Sequence, residues 1–305
     1  MKASKIAVVL SVVFVPMCAH PSAVFGNSVG KRVSQRGVPT KIEKVSDTGK
    51  IVLQSEDCRY SNTGFNPFFA READNKCMLS QAPQMHEFDE AVLSVCGAWG
   101  YEPSRGDFLS MLNEPLVEQK VRRIYDELNH EVFTADADFS LFKDELAELW
   151  TNEGGVADVF CGVPSKKGLK GMHFYGRYLE AQDKKWAGRN YEGLENADDW
   201  DFSPSIKFVA PDSVVLVSNK KEMEVDFSHA DDIIIRATRA YKGLQSHIPH
   251  REIRRCVYDG GDEEHAYVLV AKQNAIVTFY PTMAPNPVCA SGINTAKCDC
   301  MNYLE

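Results

Sequence analysis

The spacing of apolar residues changes character at Asn152-Glu153-Gly154-Gly155, and that change constrains the fold more than any other feature of the chain. Before it, Phe88, Val92, Val95 and Cys96 recur at three to four residues, as do Val121, Ile124, Tyr125 and Leu128. That is the period of helices burying one face. Asp138 is placed to open a third helix carrying Leu141, Phe142, Leu146 and Leu149. After the break, β-branched and aromatic runs separated by turn residues take over: Val156–Phe160, Val209–Ser218, Lys221–Phe227, Arg254–Tyr258, Ala266–Ala271 and Ala275–Tyr280. Val209–Ser218 and Lys221–Phe227 are expected to pair as a hairpin through Ser218-Asn219, with a helix following over Asp231–Lys242. Helices first and strands second predict an α+β protein.

Four segments follow from this reading. Residues 1–26 carry Lys2 and Lys5, an apolar run from Ile6 to Val15 and then small residues, which predicts a secretory signal peptide. Residues 27–84 are polar and rich in turn residues, residues 85–154 are helical, and residues 155–305 are strand-rich with a cysteine-containing tail. No stretch has 18 uninterrupted apolar residues, so no membrane partner is expected once the leader is removed. If the helical region is only an adaptor, a chain starting near Gly154 should fold by itself.

The formal charge is −9, from 34 basic and 43 acidic residues, and becomes −11 without Lys2 and Lys5. This excludes nucleic-acid binding through a broad basic footprint; any such site must be a local basic cleft. Of nine cysteines, eight lie beyond the leader: Cys58, Cys77, Cys96, Cys161, Cys256, Cys289, Cys298 and Cys300. An even number after a signal peptide implies disulfides and an oxidising compartment, with 105 pairings open. Cys58 with Cys77, and Cys289 with Cys298 or Cys300, are candidate bridges.

Within residues 156–181, Lys166, Lys167 and Lys170 crowd a turn that leads to His173. A positive loop beside an imidazole is a phosphate site by its chemistry. The plainer alternative is a lysine-rich hairpin tip next to a half-buried core histidine. Further candidates are Asp198, Asp199 and Asp201 as ligands for a divalent ion or an exposed acidic turn, and Arg251, Arg254 and Arg255 beside His247 and His250 as a second basic edge.

The line Ala157-Asp158-Val159-Phe160-Cys161-Gly162, a lysine-rich turn, then Gly171-Met172-His173-Phe174 resembles the first signature of the EndoU endoribonucleases. In that family two histidines stand 15 positions apart; here Asp158 occupies the first position and His173 the second. Lys221, ahead of Ser228, resembles the family's catalytic lysine, with Lys220 as its rival. Strand alternation puts Lys221 on the row of Met223, Val225 and Phe227. Thr278-Phe279-Tyr280 resembles the closing Thr-x-Tyr signature. The resemblance spans about residues 150–283. It implies two antiparallel sheets flanking a cleft and cleavage of single-stranded RNA at uridines to 2′,3′-cyclic phosphate and 5′-hydroxyl ends. It also implies manganese as a cofactor in some relatives.

On that resemblance His173 is the base, Lys221 the cation, and Asp158 stands where the general acid belongs. Thr278, Tyr280, Lys170 and Lys220 would contact substrate. An aspartic acid that ionises near 3.9 cannot donate at neutral pH. Catalysis therefore requires either burial of Asp158 among Val156, Val159 and Phe160, or a histidine such as His229, His247 or His250 reaching the cleft. Without these the chain is a weak nuclease or a catalytically silent RNA- or protein-binding module, deployed as an effector or toxin in one version.

Overall fold

The computed structural model describes residues 64–70, 82–190, 206–218, 225–245, 253–259, 266–282 and 299–303, with the short antiparallel pair β1 (Lys44–Val45) and β2 (Ile51–Val52). Four helices come first: α1 (Glu87–Cys96), α2 (Arg105–Leu112), α3 (Glu118–Glu127) and α4 (Phe139–Thr151). The Asp138 carboxylate caps α4, accepting from the backbone N–H of Ser140 and of Leu141, each at 2.9 Å. This satisfies two amides that the helix itself cannot.

Past Gly155 the chain does not enter a strand. Ala157–Cys161 forms one π-helical turn, closed by the Gly162 N–H donating to the Ala157 carbonyl at 2.8 Å. Val156, Val159, Phe160 and Cys161 are all buried, a spacing that fits a helical face as well as a strand. A five-residue apolar run is too short for periodicity to decide. The hairpin β3 (Val163–Ser165) and β4 (Gly168–Lys170) follows, with Lys166 and Lys167 at its tip, then α5 (Tyr175–Asp183). That helix was hidden in the sequence by its aromatic, glycine-containing run.

Three strands then form an antiparallel sheet in the order β5 (Ala187–Arg189), β6 (Ile206–Val209) and β7 (Val215–Ser218). A hairpin therefore lies inside Val209–Ser218, and beyond Ser218 the expected turn at Asn219 and the start of the next strand fall outside the described residues. Pro211-Asp212-Ser213 makes the turn, with Ala210 N donating to Val214 O at 2.7 Å. Proline lacks the ladder donor, and Asp and Ser favour turns. Helix α6 (Ala230–Gln245) precedes β8 (Ile253–Asp259), β9 (Ala266–Lys272), β10 (Ala275–Thr282) and β11 (Asp299–Tyr303). These pair antiparallel in the order β10-β9-β8-β11. The protein is α+β, as the spacing predicted.

The helical and strand-rich halves share one core. Trp150 of α4 stacks near Phe160, ring centroids 5.5 Å apart, and donates from Nε1 to Thr238 of α6 at 3.1 Å. A disulfide joins Cys96, the last residue of α1, to Cys161 of the π-turn. It closes 65 residues of sequence, for which the chain-entropy account gives roughly 4 kcal/mol. The fully buried Arg177 guanidinium lies beside the stacked pair Trp99 and Trp186 and donates to the carbonyls of Cys161 (2.9 Å) and Gly97 (3.1 Å). It thus pins the backbone at both ends of the bridge. Among the described residues no helix is long and apolar enough to cross a membrane.

Candidate active site

Backbone contacts set the position of His173. Gly171 has φ +63°, and a Cβ there would lie 1.9 Å from the Asp158 carbonyl oxygen. Only glycine allows that approach. It brings Met172 N to Asp158 O (2.6 Å) and His173 N to Val159 O (2.8 Å), so the segment before α5 lies directly on the π-turn. On its other side, Asp226 N donates to His173 O at 2.6 Å and Tyr175 N to Asp226 O at 3.2 Å, a parallel bridge around Phe174.

The result places Asp158 Oδ1 3.8 Å from His173 Nε2. The imidazole is nearly enclosed, with 5% of its side-chain surface exposed, while Asp158 keeps 26%. Val156, Val159 and Phe160 are buried in the core, while the Asp158 carboxyl keeps about a quarter of its surface in solvent and is not enclosed as the burial expectation required.

From the opposite direction, Tyr280 of β10 stacks on His173, ring centroids 4.8 Å apart and planes 16° from parallel. A bulge between Ile276 and Thr278 resets the strand. Thr278 and Tyr280 then share one face, while Phe279 turns inward against Tyr267. Thr278 Oγ1 is buried without a hydrogen-bond partner among the described residues. Gly155 fixes the distance between β10 and the π-turn: a Cβ there would lie 2.5 Å from Ile276 O. Asp158, His173 and Tyr280, spread over more than 120 residues of sequence, meet at one place.

Other candidates are not brought to it by any contact described. Lys170 is exposed at the end of β4, and Lys166 pairs with Asp212 at 3.1 Å. Lys220 and Lys221 lie outside the described residues, as do Asp198, Asp199, Asp201, His247, His250, Arg251, Cys58, Cys77, Cys289 and Cys298. At its described end the Lys221–Phe227 run has the reverse parity from that expected: Asp226 is buried at 4% exposure and Phe227 is 41% exposed. The Asp226 carboxylate is the reason, since it accepts from Ser228 N at 2.8 Å and pairs with Arg236 at 3.2 Å. Arg254 and Arg255 are strand residues of β8.

His229 joins a different cluster. Its Nδ1 is 2.7 Å from Asp89 Oδ2 and 3.3 Å from the Tyr175 hydroxyl, and its ring lies against that of His86, centroids 3.2 Å apart. Burial first, and the Asp89 carboxylate beside it second, raise the Tyr175 phenol above its usual range. His86 and Asp89 were not singled out in the sequence; His86-x-x-Asp89 at the start of α1 reads there as ordinary capping. A surface groove of about 650 Å³ between α3 and α6 is a third feature, but its arginines are engaged: Arg122 by Glu118, Arg123 by Asp231 and Asp232, Arg239 by Glu127.

A family comparison agrees with the sequence resemblance. The bacterial EndoU nuclease family matches residues 152–283. The solved structure of XendoU, a splicing-independent snoRNA-processing endoribonuclease, is similar at 14% identity and a TM-score of 0.40, covering 76% of this chain and 90% of that one. No curated protein sequence matches.

Proposed function

We propose that this chain, whose residues 152–283 match the bacterial EndoU nuclease family, is an exported endoribonuclease cutting single-stranded RNA at uridines. The products would be a 2′,3′-cyclic phosphate and a 5′-hydroxyl. The observation that carries the reading is the stacking of Tyr280 on His173 beside Asp158, which assembles three separate stretches of sequence around one imidazole. The buried Cys96–Cys161 bridge supports an oxidising compartment, and Cys256 is also disulfide-bonded.

Cleavage needs a base for the 2′-hydroxyl, a cation for the phosphorane charge and an acid for the leaving 5′-oxygen. His173 takes the 2′ proton. Lys221, or Lys220, supplies the cation, and Lys170 steers the phosphate from the rim. Tyr280 offers a stacking face worth roughly 1–3 kcal/mol per base. Thr278 Oγ1, buried and without a partner among the described residues, gives uracil a hydrogen bond that a mismatched base edge would leave unmade. Asp158 supports a proton on His173 but, as an anion, cannot protonate the leaving oxygen and repels the phosphate. Loss of a general acid costs ~10²–10⁴-fold, so turnover is slow.

The same carboxylate favours a second reading, a silent module that binds RNA or a protein partner. Purified protein and a uridine-containing oligonucleotide separate the two. The first reading expects slow cleavage that His173→Ala abolishes and Asp158→His raises by about tenfold or more. Cleavage that survives His173→Ala removes the assignment. Binding without cleavage, in the parent and in Asp158→His alike, selects the second reading.

A further inference from the structure

We propose that His86, Asp89 and His229 bind one divalent transition-metal ion of the zinc class, at a site separate from the His173 cluster. Each offers one donor atom, and the three donors lie within 4.8 Å of one another. Asp89 Oδ2 faces two imidazole nitrogens, His229 Nδ1 at 2.7 Å and His86 Nδ1 at 3.4 Å. A single proton can bridge the first gap, but the second is too long for a hydrogen bond. Metal–ligand bonds of about 2.0–2.1 Å in a tetrahedron put neighbouring donors about 3.3 Å apart. The His86 edge already has that length, and the His229 edge reaches it by opening about half an ångström.

The surroundings fit a metal ligand set. Asp89 is fully buried and held from outside the cluster: Ala230 N donates to its Oδ1 at 2.7 Å, and the Tyr175 hydroxyl to its Oδ2 at 3.1 Å. Such outer partners orient a ligating carboxylate. The start of a helix ordinarily repels a cation. Here the amides of His86, the N-cap of α1, and of Ala230, the first residue of α6, both donate to the Asp89 carboxylate, which offsets them. The two imidazoles keep 30% and 29% of their surface in solvent, leaving a way in for an ion. Two nitrogens and one oxygen favour zinc-class ions over manganese, which prefers oxygen donors.

Binding replaces the His229 Nδ1–Asp89 hydrogen bond with two bonds to the ion, which requires the His229 tautomer that carries its proton on Nε2. The ion would clamp α1 to the start of α6. It would also stiffen Tyr175, two residues from His173, through the Asp89 contact. The site is thus a structural clamp on the segment that carries the imidazole of the candidate active site.

The test uses the full chain, stripped with chelator and titrated with zinc chloride alone by calorimetry, with cobalt absorption as a second readout. One ion per chain is expected, with a rise in Tm of roughly 5 °C. His86→Asn keeps a good helix cap and removes the imidazole; it should weaken binding at least about 100-fold while the metal-free Tm stays near that of the parent. His229→Ala should do the same. His173→Ala should bind zinc as the parent does, which separates this outcome from any result on RNA cleavage. Absence of stoichiometric zinc binding in the parent overturns the proposal. So does zinc binding that His86→Asn and His229→Ala leave unchanged.

Discussion

The two histidine–aspartate clusters bury opposite halves of themselves. Around His173 the imidazole is enclosed and the Asp158 carboxylate meets solvent, 3.8 Å away. Around Asp89 the carboxylate is wholly enclosed, and His86 and His229 remain near the surface. A carboxylate filled by two helix-leading amides and a phenol is a fixed anchor, suited to hold helices or an ion in place. The enclosed His173 imidazole, with the Tyr280 ring on one face, is instead held by its backbone and by stacking. The clusters also share their supports: α1 carries Asp89 at one end and is bridged to the Asp158 turn at the other.

The harshest test of that shared support is truncation. A chain beginning at Gly154 loses α1 to α4, and with them Trp150, Cys96 and Asp89. It should give neither a cooperative thermal transition nor near-ultraviolet dichroism. Next in size, Asp89→Ala leaves two amides and a hydroxyl unmatched in the interior and should cost roughly 3–5 kcal/mol in denaturant unfolding. Asp158→Ala, at a solvent-reached carboxylate, should cost about 1 kcal/mol or less. Equal losses at the two positions would erase the contrast drawn between them. Gly171→Ala should destabilise by about 3 kcal/mol, since a methyl group meets the Asp158 carbonyl and a left-handed residue gains a side chain. It should also separate His173 from Asp158 and reduce any RNA cleavage.

The smallest effect lies at high pH. Burial raises the phenols of Tyr175, Tyr178 and Tyr241, with Asp89 adding to the shift at Tyr175. Groups raised in the folded state stabilise it below the unfolded value of 10.0 and lose that contribution as pH climbs through their folded values. Unfolding free energy should therefore decline above pH 10, and Tyr175→Phe should soften the decline. Tyrosinate absorbance that appears for all tyrosines at pH 10 before unfolding would contradict it.

The helices α1, α3 and α4 and the strands β8 to β10 were legible because each repeats its apolar period over enough residues to outweigh local accidents. The Val156–Phe160 run was misread because its apolar spacing satisfies two geometries, and a neighbouring glycine contact chooses between them. The Pro211 turn was overlooked inside what looked like one continuous apolar strand. His173, Tyr280, Thr278 and Asp158 were visible as pieces of signatures, whereas His86 and Asp89 had no local mark of anything beyond capping.

The amino-acid sequence by itself determined the α+β class and the change from helices to strands, since these depend on apolar period and residue type along short windows. Which side chains face one another was decided by tertiary contacts. Gly171 on Asp158, Gly155 on β10 and the Cys96–Cys161 bridge set distances between segments far apart in the chain. No window of sequence contains both sides of such a contact, so burial of His173 and exposure of Asp158 arise only when the chain closes on itself.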